Sequence, residues 1–164
     1  MSIGIRLEEL LDYSDHERAK WRAWVVANPA RLQIAFQSSG RFPTVGALLD
    51  HLFLVERRHL SRLQGSAPPD TTGVAASDWQ ALFEYGDLVR ADFRHYLSDV
   101  SDDEARESLT FTVPSGEATM TRRKLATTIV LHEIRHLAQI AFAVRRSGEE
   151  PPGQHDLFYF TEFP

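Results

Sequence analysis

Apolar residues recur every three to four positions over four stretches of the chain, and turn-forming residues close each stretch, the signature of amphipathic helices. The first covers about 4–27, with Leu7, Leu10, Leu11, Trp21, Trp24 and Val25 at helical spacing and a stop at Asn28-Pro29. Its apolar face has a gap, because Ser14 and Arg18 fall in the middle of it. The second runs from about 44 to 64, opens on Thr44 as N-cap after Pro43 and closes at Gly65. Its stripe is Val45, Leu48, Leu49, Leu52, Val55, Leu60 and Leu63. The third starts at Ser77, where Ser-Asp-Trp-Gln puts Gln80 at the capping-box position, and turns Trp79, Leu82, Phe83, Val89, Phe93 and Leu97 inward before ending near Ser98. The fourth spans about 121–146 and ends at Gly148, with Pro151-Pro152 beyond. Between 107 and 120, β-formers alternate around Pro114-Ser115-Gly116, the pattern of a short hairpin. The pattern predicts an all-α fold: a four-helix bundle with a β-hairpin-like excursion before the last helix, in one domain over 1–164. The aromatic tail is expected to pack back on the bundle through Leu157, Phe158 and Phe160.

Composition narrows the chemistry. There is no cysteine, so disulfides, thiolate metal sites and a cysteine nucleophile are excluded, and a bound metal must use nitrogen and oxygen ligands. No stretch approaches the ~20 apolar residues of a membrane span, and no basic region precedes an apolar run at the N-terminus, so the expectation is a cytoplasmic protein without a membrane partner. A formal net charge of −5 argues against a broad phosphate-binding surface, and no nucleic-acid partner is expected.

The candidate chemistry lies in the last helix. His132 and His136 stand four residues apart, so at ~100° per residue their rings are only ~40° apart, one turn above the other, on the face that carries Leu125, Ile129, Ile140 and Ala143. Two buried imidazoles that share one partner are well met by a divalent cation. Of the seven histidines, His16 and His95 lie opposite the apolar stripes of their helices and read as solvent-facing, and His155 in the tail has no assignable role. His51 and His59 on the second helix compete as third ligand. Both fall within its buried stripe, and the periodicity slightly favours His59, ~20° from Leu52. His132 and His136 alone read as readily as a hydrogen-bonded core pair without metal, and a third inward histidine on the second helix shifts the balance toward an ion.

Thr44-Val45-Gly46-Ala47-Leu48-Leu49-Asp50-His51 with Glu56 five residues on, then His132-Glu133-Ile134-Arg135-His136-Leu137-Ala138-Gln139-Ile140, then Arg145-Arg146-Ser147-Gly148 and Pro151-Pro152, make the chain resemble the DinB-like superfamily of metal-binding four-helix bundles, which is related to bacterial thiol-dependent transferases. The resemblance implies His51, His132 and His136 as metal ligands, a divalent ion (zinc, nickel or iron) as cofactor, and a small-molecule substrate or thiol cofactor as partner. It implies a metal-dependent enzyme of the hydrolase or thiol-transferase type, with a non-enzymatic metal-binding module as the alternative. A two-fold homodimer is the commonest association for such bundles.

Two other readings use the same residues. His132-Glu133-Ile134-Arg135-His136 matches H-E-x-x-H, in which a glutamate activates water on zinc, but the extended form fails at Gln139 and Phe142. Glu56-x-x-His59 and Glu133-x-x-His136, with Glu17 and Glu84, supply the ligand inventory of a di-iron carboxylate bundle, although the wheels turn Glu84 outward and put Glu133 farther from the core than His132. Glu56 faces inward and needs a partner, either a ligand imidazole or Arg18. Arg122-Arg123-Lys124 read as a solvated face rather than an anion site.

Overall fold

The computed structural model describes residues 4–36 and 42–162. Its frame is four long helices: α1 (Leu7–Ala27), α2 (Val45–Leu63), α3 (Trp79–Asp99) and α5 (Arg122–Arg146), with a short α4 (Asp102–Arg106) and two strands, β1 (Ser108–Val113) and β2 (Gly116–Thr121), before the last. The strands pair antiparallel from Ser108↔Thr121 to Val113↔Gly116, where Gly116 takes φ 122° to close the two-residue turn. This is the all-α bundle with a hairpin excursion that the pattern predicts. Periodicity does not register the short 3-10 helix Pro29–Gln33 or α4, since one turn is too brief to show a stripe.

Helix starts follow capping chemistry. Thr44 and Thr121 accept from the backbone N–H three residues on, at 3.2 Å each. In α3 the cap is Asp78 rather than Ser77, because its carboxylate reaches the Ala81 N–H at 3.1 Å, and Gln80 is therefore not at the capping-box position.

The helices form a square in which α1 and α2 each pack against α3 and α5. Asp12–Arg94 and Arg22–Asp87 ion pairs set α1 antiparallel to α3, while Phe53–Phe83 and Arg57–Asp92 contacts set α2 parallel to α3. Arg122 donates to the Leu63 carbonyl, joining the start of α5 to the end of α2, so these two run antiparallel. Parallel neighbours need a connection that returns the length of a helix. Residues 64–78 supply it, running back along α2: Arg58 donates to the carbonyls of Pro69 (2.8 Å) and Asp70 (2.7 Å), Thr72 donates to Asp50, and Ala76 reaches Gly46. A Cβ at Gly46 would lie 2.2 Å from the Ala76 carbonyl oxygen, so only glycine admits the strand-like return at this level.

Two apolar clusters fill the interior. One gathers Trp21, Trp24, Leu48, Leu49, Phe53, Phe83, Leu137, Ile140 and Val144, and the other Leu11, Leu60, Leu63, Phe93, Leu125 and Ile129, with Leu109, Phe111 and Met120 of the hairpin packed on it. Between them lies a buried ionic layer to which every long helix contributes. Arg18 donates to Glu133 (2.9 Å), Glu56 (2.6 Å) and the Gly86 carbonyl (2.9 Å); Arg90 donates to Glu56 (2.7 Å), Asp15 (2.6 Å) and Glu133; and Ser14 donates to Glu133 (2.6 Å). Two guanidiniums face two carboxylates, all four residues at most 6 % exposed, so the layer is charge-balanced and hydrogen-bonded throughout. Burial would raise Glu133, but Arg18 and Arg90 outweigh it and hold the carboxyl well below the usual range. The gap at Ser14 and Arg18 in the first helix is thus one quarter of this layer.

The tail returns on α1. His155 stacks on Trp21 at 5.3 Å, its Nδ1 meets Glu17 at 2.5 Å, Trp24 donates to the Glu150 carbonyl (2.8 Å), and Phe160 is buried against Tyr13. Phe158, expected to be covered, is 85 % exposed, because the 3-10 turn Leu157–Tyr159 points successive side chains in different directions and seats only part of the aromatic run. Among the described residues, no helix is long and apolar enough to cross a membrane.

Candidate metal centre

His132 and His136 lie on one face of α5, at the edge turned toward α2, and His51 meets them from the first turns of α2. The ring centroids of His51 are 5.3 Å from each of the α5 rings, which are 4.3 Å from one another. One nitrogen from each of the three lies within 4.8 Å of the other two, and this is the group able to hold a metal ion that the described residues contain. His136 is buried, whereas His51 and His132 are half-buried, so the group sits at the rim of the core rather than inside it. Phe42, on the segment entering α2, packs over His51 at 4.3 Å and approaches His136 edge-on at 6.3 Å, forming an apolar wall.

Protonation suits ligation. Burial, then His136, His51, His59 and Arg135, push His132 down to about 3, and burial followed by Arg135 lowers His136 against the opposing effect of Gln139. Both rings are neutral at ordinary pH, as a metal ligand must be. The tautomer of His136 is fixed as well. Gln139 Oε1 accepts from its Nδ1–H at 2.5 Å, which leaves the Nε2 lone pair facing Nε2 of His132 at 3.0 Å. Three converging imidazoles, one of them oriented through its far nitrogen, could hold a divalent metal ion. Gln139 escaped the sequence reading, although its position three residues after His136 on an exposed helix edge is where such a partner would stand.

The rival ligands are elsewhere. His59 Nδ1 accepts from Arg62 at 3.0 Å and is not in the three-histidine group. Glu56 is held by Arg18 and Arg90, which decides for the ion pair over a role beside the imidazoles. Glu133 corrects the helical-wheel expectation: it is 3 % exposed and so lies deeper than His132. The centre of the α5 stripe is Ala126, Val130, Glu133, Leu137, Ile140 and Val144, a three-four spacing that leaves the histidines at its margin. The Glu133 carboxylate is taken up by Arg18, Arg90 and Ser14 in the ionic layer, which argues against its serving as a base for water at the imidazoles and so against the metalloprotease reading. The di-iron inventory does not converge either, since Glu17 pairs with His155 and Lys20 and Glu84 is exposed. His16 and His95 are exposed as expected, and Arg123 and Lys124 are solvated while Arg122 ties α5 to α2. Arg90, unremarked in the sequence, stands in the same three-four series as Phe83, Gly86 and Phe93, and that spacing was the available signal.

No curated protein matches the chain. The model of one family, the DinB superfamily, matches residues 6–140, the span that carries α1, α2, α3, the hairpin and the histidines of α5. With that match covering most of its length, and with a helical bundle bearing a three-histidine group, the chain belongs to the DinB superfamily.

Proposed function

We propose that His51, His132 and His136 hold one divalent metal ion and that the protein is a metal-dependent enzyme of the hydrolase or thiol-transferase type. The observation that carries this reading is the half-buried position of His51 and His132: among the described residues three imidazoles converge at the rim of the bundle with no fourth ligand beside them, whereas a structural ion is enclosed by a complete set of ligands. When bound, such an ion supplies Lewis acidity, bringing the pKa of a coordinated water or thiol toward neutrality. The chain's part is to fix the ligands. Gln139 holds the His136 tautomer, the Phe42 ring excludes water from one side of His51, and the ionic layer beneath anchors the helices that carry all three.

Metal content per chain, by elemental analysis of untagged protein, tests the ligand set in wild type, His51→Ala, His132→Ala and His59→Ala. One equivalent that is lost in the first two variants and kept in the third supports the reading. No metal in the wild type, or two iron equivalents that depend on His59, overturns it. Turnover is tested on the loaded protein by ester hydrolysis and by thiol addition to an electrophile. Activity abolished in His132→Ala supports the enzyme, and a stoichiometric ion without either activity makes the protein a metal-binding module.

A further inference from the structure

Helices α1 and α3 carry the same stripe. Asp15, Arg18, Ala19 and Arg22 stand at i, i+3, i+4 and i+7 on α1, and Asp87, Arg90, Ala91 and Arg94 repeat these residue types at the same spacing on α3. Because the two helices are antiparallel, the stripes oppose each other about a local two-fold: Arg22 meets Asp87 at one end and Arg94 meets Asp15 at the other. The alanines fall between these ends, and a methyl group is too short to fill the gap between two helices. The space left is a cavity of about 340 Å³, partly open to solvent and lined by both stripes. That volume lies within the range of small-molecule sites, ~300–1,000 Å³.

The cavity is richer in donors than in acceptors. Buried Arg18 and Arg90 form its floor, and a guanidinium has five N–H groups. Arg18 uses three of them, on Glu133, Glu56 and the Gly86 carbonyl, and keeps two. Arg90 engages all three of its nitrogens with Glu56, Asp15 and Glu133 and keeps one N–H, on Nη1. At the mouth, Arg22 and Arg94 are 39 % and 40 % exposed and pair with the exposed carboxylates of Asp87 and Asp12, and such pairs are weak enough to exchange with a competing anion. Both oxygens of Asp15 already accept, from Arg90 and Arg94. Four guanidiniums against two carboxylates therefore favour an acceptor of negative charge over a cation. Glu56 and Glu133 compensate Arg18 and Arg90 from the core side, which restricts the guest to a small anion.

We propose that the cavity between α1 and α3 binds one compact tetrahedral oxyanion, phosphate or a small phosphate monoester, seated over Ala19 and Ala91 with Arg18 and Arg90 beneath it and Arg22 and Arg94 closing on it from the two ends. Planar guanidinium forks match the oxygens of such an ion, and the four come from two helices whose spacing the ionic layer fixes. The site shares no residue with the three-histidine group of α2 and α5, so it stands or falls independently of the metal reading. One cavity of this kind is not the broad basic surface that the net charge of −5 argues against.

The test is calorimetric titration of the full chain with inorganic phosphate at fixed ionic strength, with chloride titrated as the reference anion. Expected is one saturable phosphate per chain, kept in His51→Ala and weakened about tenfold or more in the double variant Arg22→Gln with Arg94→Gln, which loses two charge-assisted donors. Ala91→Leu fills the cavity while leaving every arginine in place and is expected to abolish binding. Should Ala91→Leu fail to fold, the double variant decides, since its two side chains are exposed. Nitrogen NMR gives the location: phosphate is expected to shift the Nε–H signals of Arg18 and Arg90 in the wild type and to leave them unmoved in the double variant. Glycerol phosphate binding as tightly as phosphate extends the ligand to monoesters, and phosphate binding alone confines it to the free ion; either result supports the site. No saturable binding beyond the chloride reference overturns the proposal. Equal affinity in the wild type and the double variant, or binding lost in His51→Ala, overturns it as well, because the anion would then sit elsewhere.

Discussion

Replacing Arg90 with methionine would leave Glu56 and Glu133 facing the single guanidinium of Arg18 in the buried middle of the bundle. Arg90 donates to both carboxylates and to Asp15 from a position only 5 % exposed, at the floor of a cavity between α1 and α3, and a water entering from that side could not supply its positive charge. Methionine fills the aliphatic volume, which confines the loss to charge and hydrogen bonds. Removing one partner from a buried ion-pair network costs roughly 3–5 kcal/mol, far above the ~0–1 kcal/mol of an exposed pair. For a chain of this size, each kcal/mol lowers Tm by about 2–4 °C, so the expected drop is on the order of 10 °C. Urea unfolding and calorimetry read it directly. The double variant Arg90→Met with Glu133→Gln restores one-to-one charge and is expected to recover part of the loss, a non-additivity that simple loss of packing would not give. Because neither Arg90 nor Glu133 belongs to the three-histidine group, Arg90→Met that remains folded is expected to keep the metal stoichiometry of the wild type. A stability change under about 1 kcal/mol would refute the argument, since it would mean the layer is hydrated and its charges are not desolvated.

Two further outcomes follow from single contacts. Gln139→Leu removes the acceptor that orients His136, and metal affinity is expected to fall about 10- to 100-fold in a chelator competition while the unfolding midpoint stays unchanged, because Gln139 is exposed. Burial raises Glu17, but its bonds to His155 and Lys20 outweigh this and leave its folded pKa depressed. A depressed carboxylate contributes stability that is present above its unfolded pKa, near 4.5, and lost as pH falls through the folded value. The wild type is therefore expected to lose more stability than Glu17→Gln between neutral pH and pH 3, measured by urea midpoints. Parallel curves would contradict the assignment.

The sequence by itself determined the helices, the hairpin and the pairing of His132 with His136 on one helix face. Three-four apolar spacing, Thr44 and Thr121 as caps and Pro114-Ser115-Gly116 as turn are local signals, set by backbone geometry and capping within a few residues, and no distant contact overrode them. The i, i+4 pair His132 and His136 is local in the same sense, since one helix suffices to bring both rings together.

That His51 rather than His59 stands beside the two α5 histidines was not legible in the local periodicity. Both lie on the buried side of α2, and the decision came from the level at which α2 meets α5 and from Arg62, which occupies the His59 nitrogen. The ionic layer shows the same division. Each helix carries one or two polar residues in its stripe, and taken singly each is an anomaly of amphipathicity. Only packing four stripes at one level reveals that Arg18, Arg90, Glu56 and Glu133 answer one another, because charge compensation is a property of the assembled interior and of no single helix.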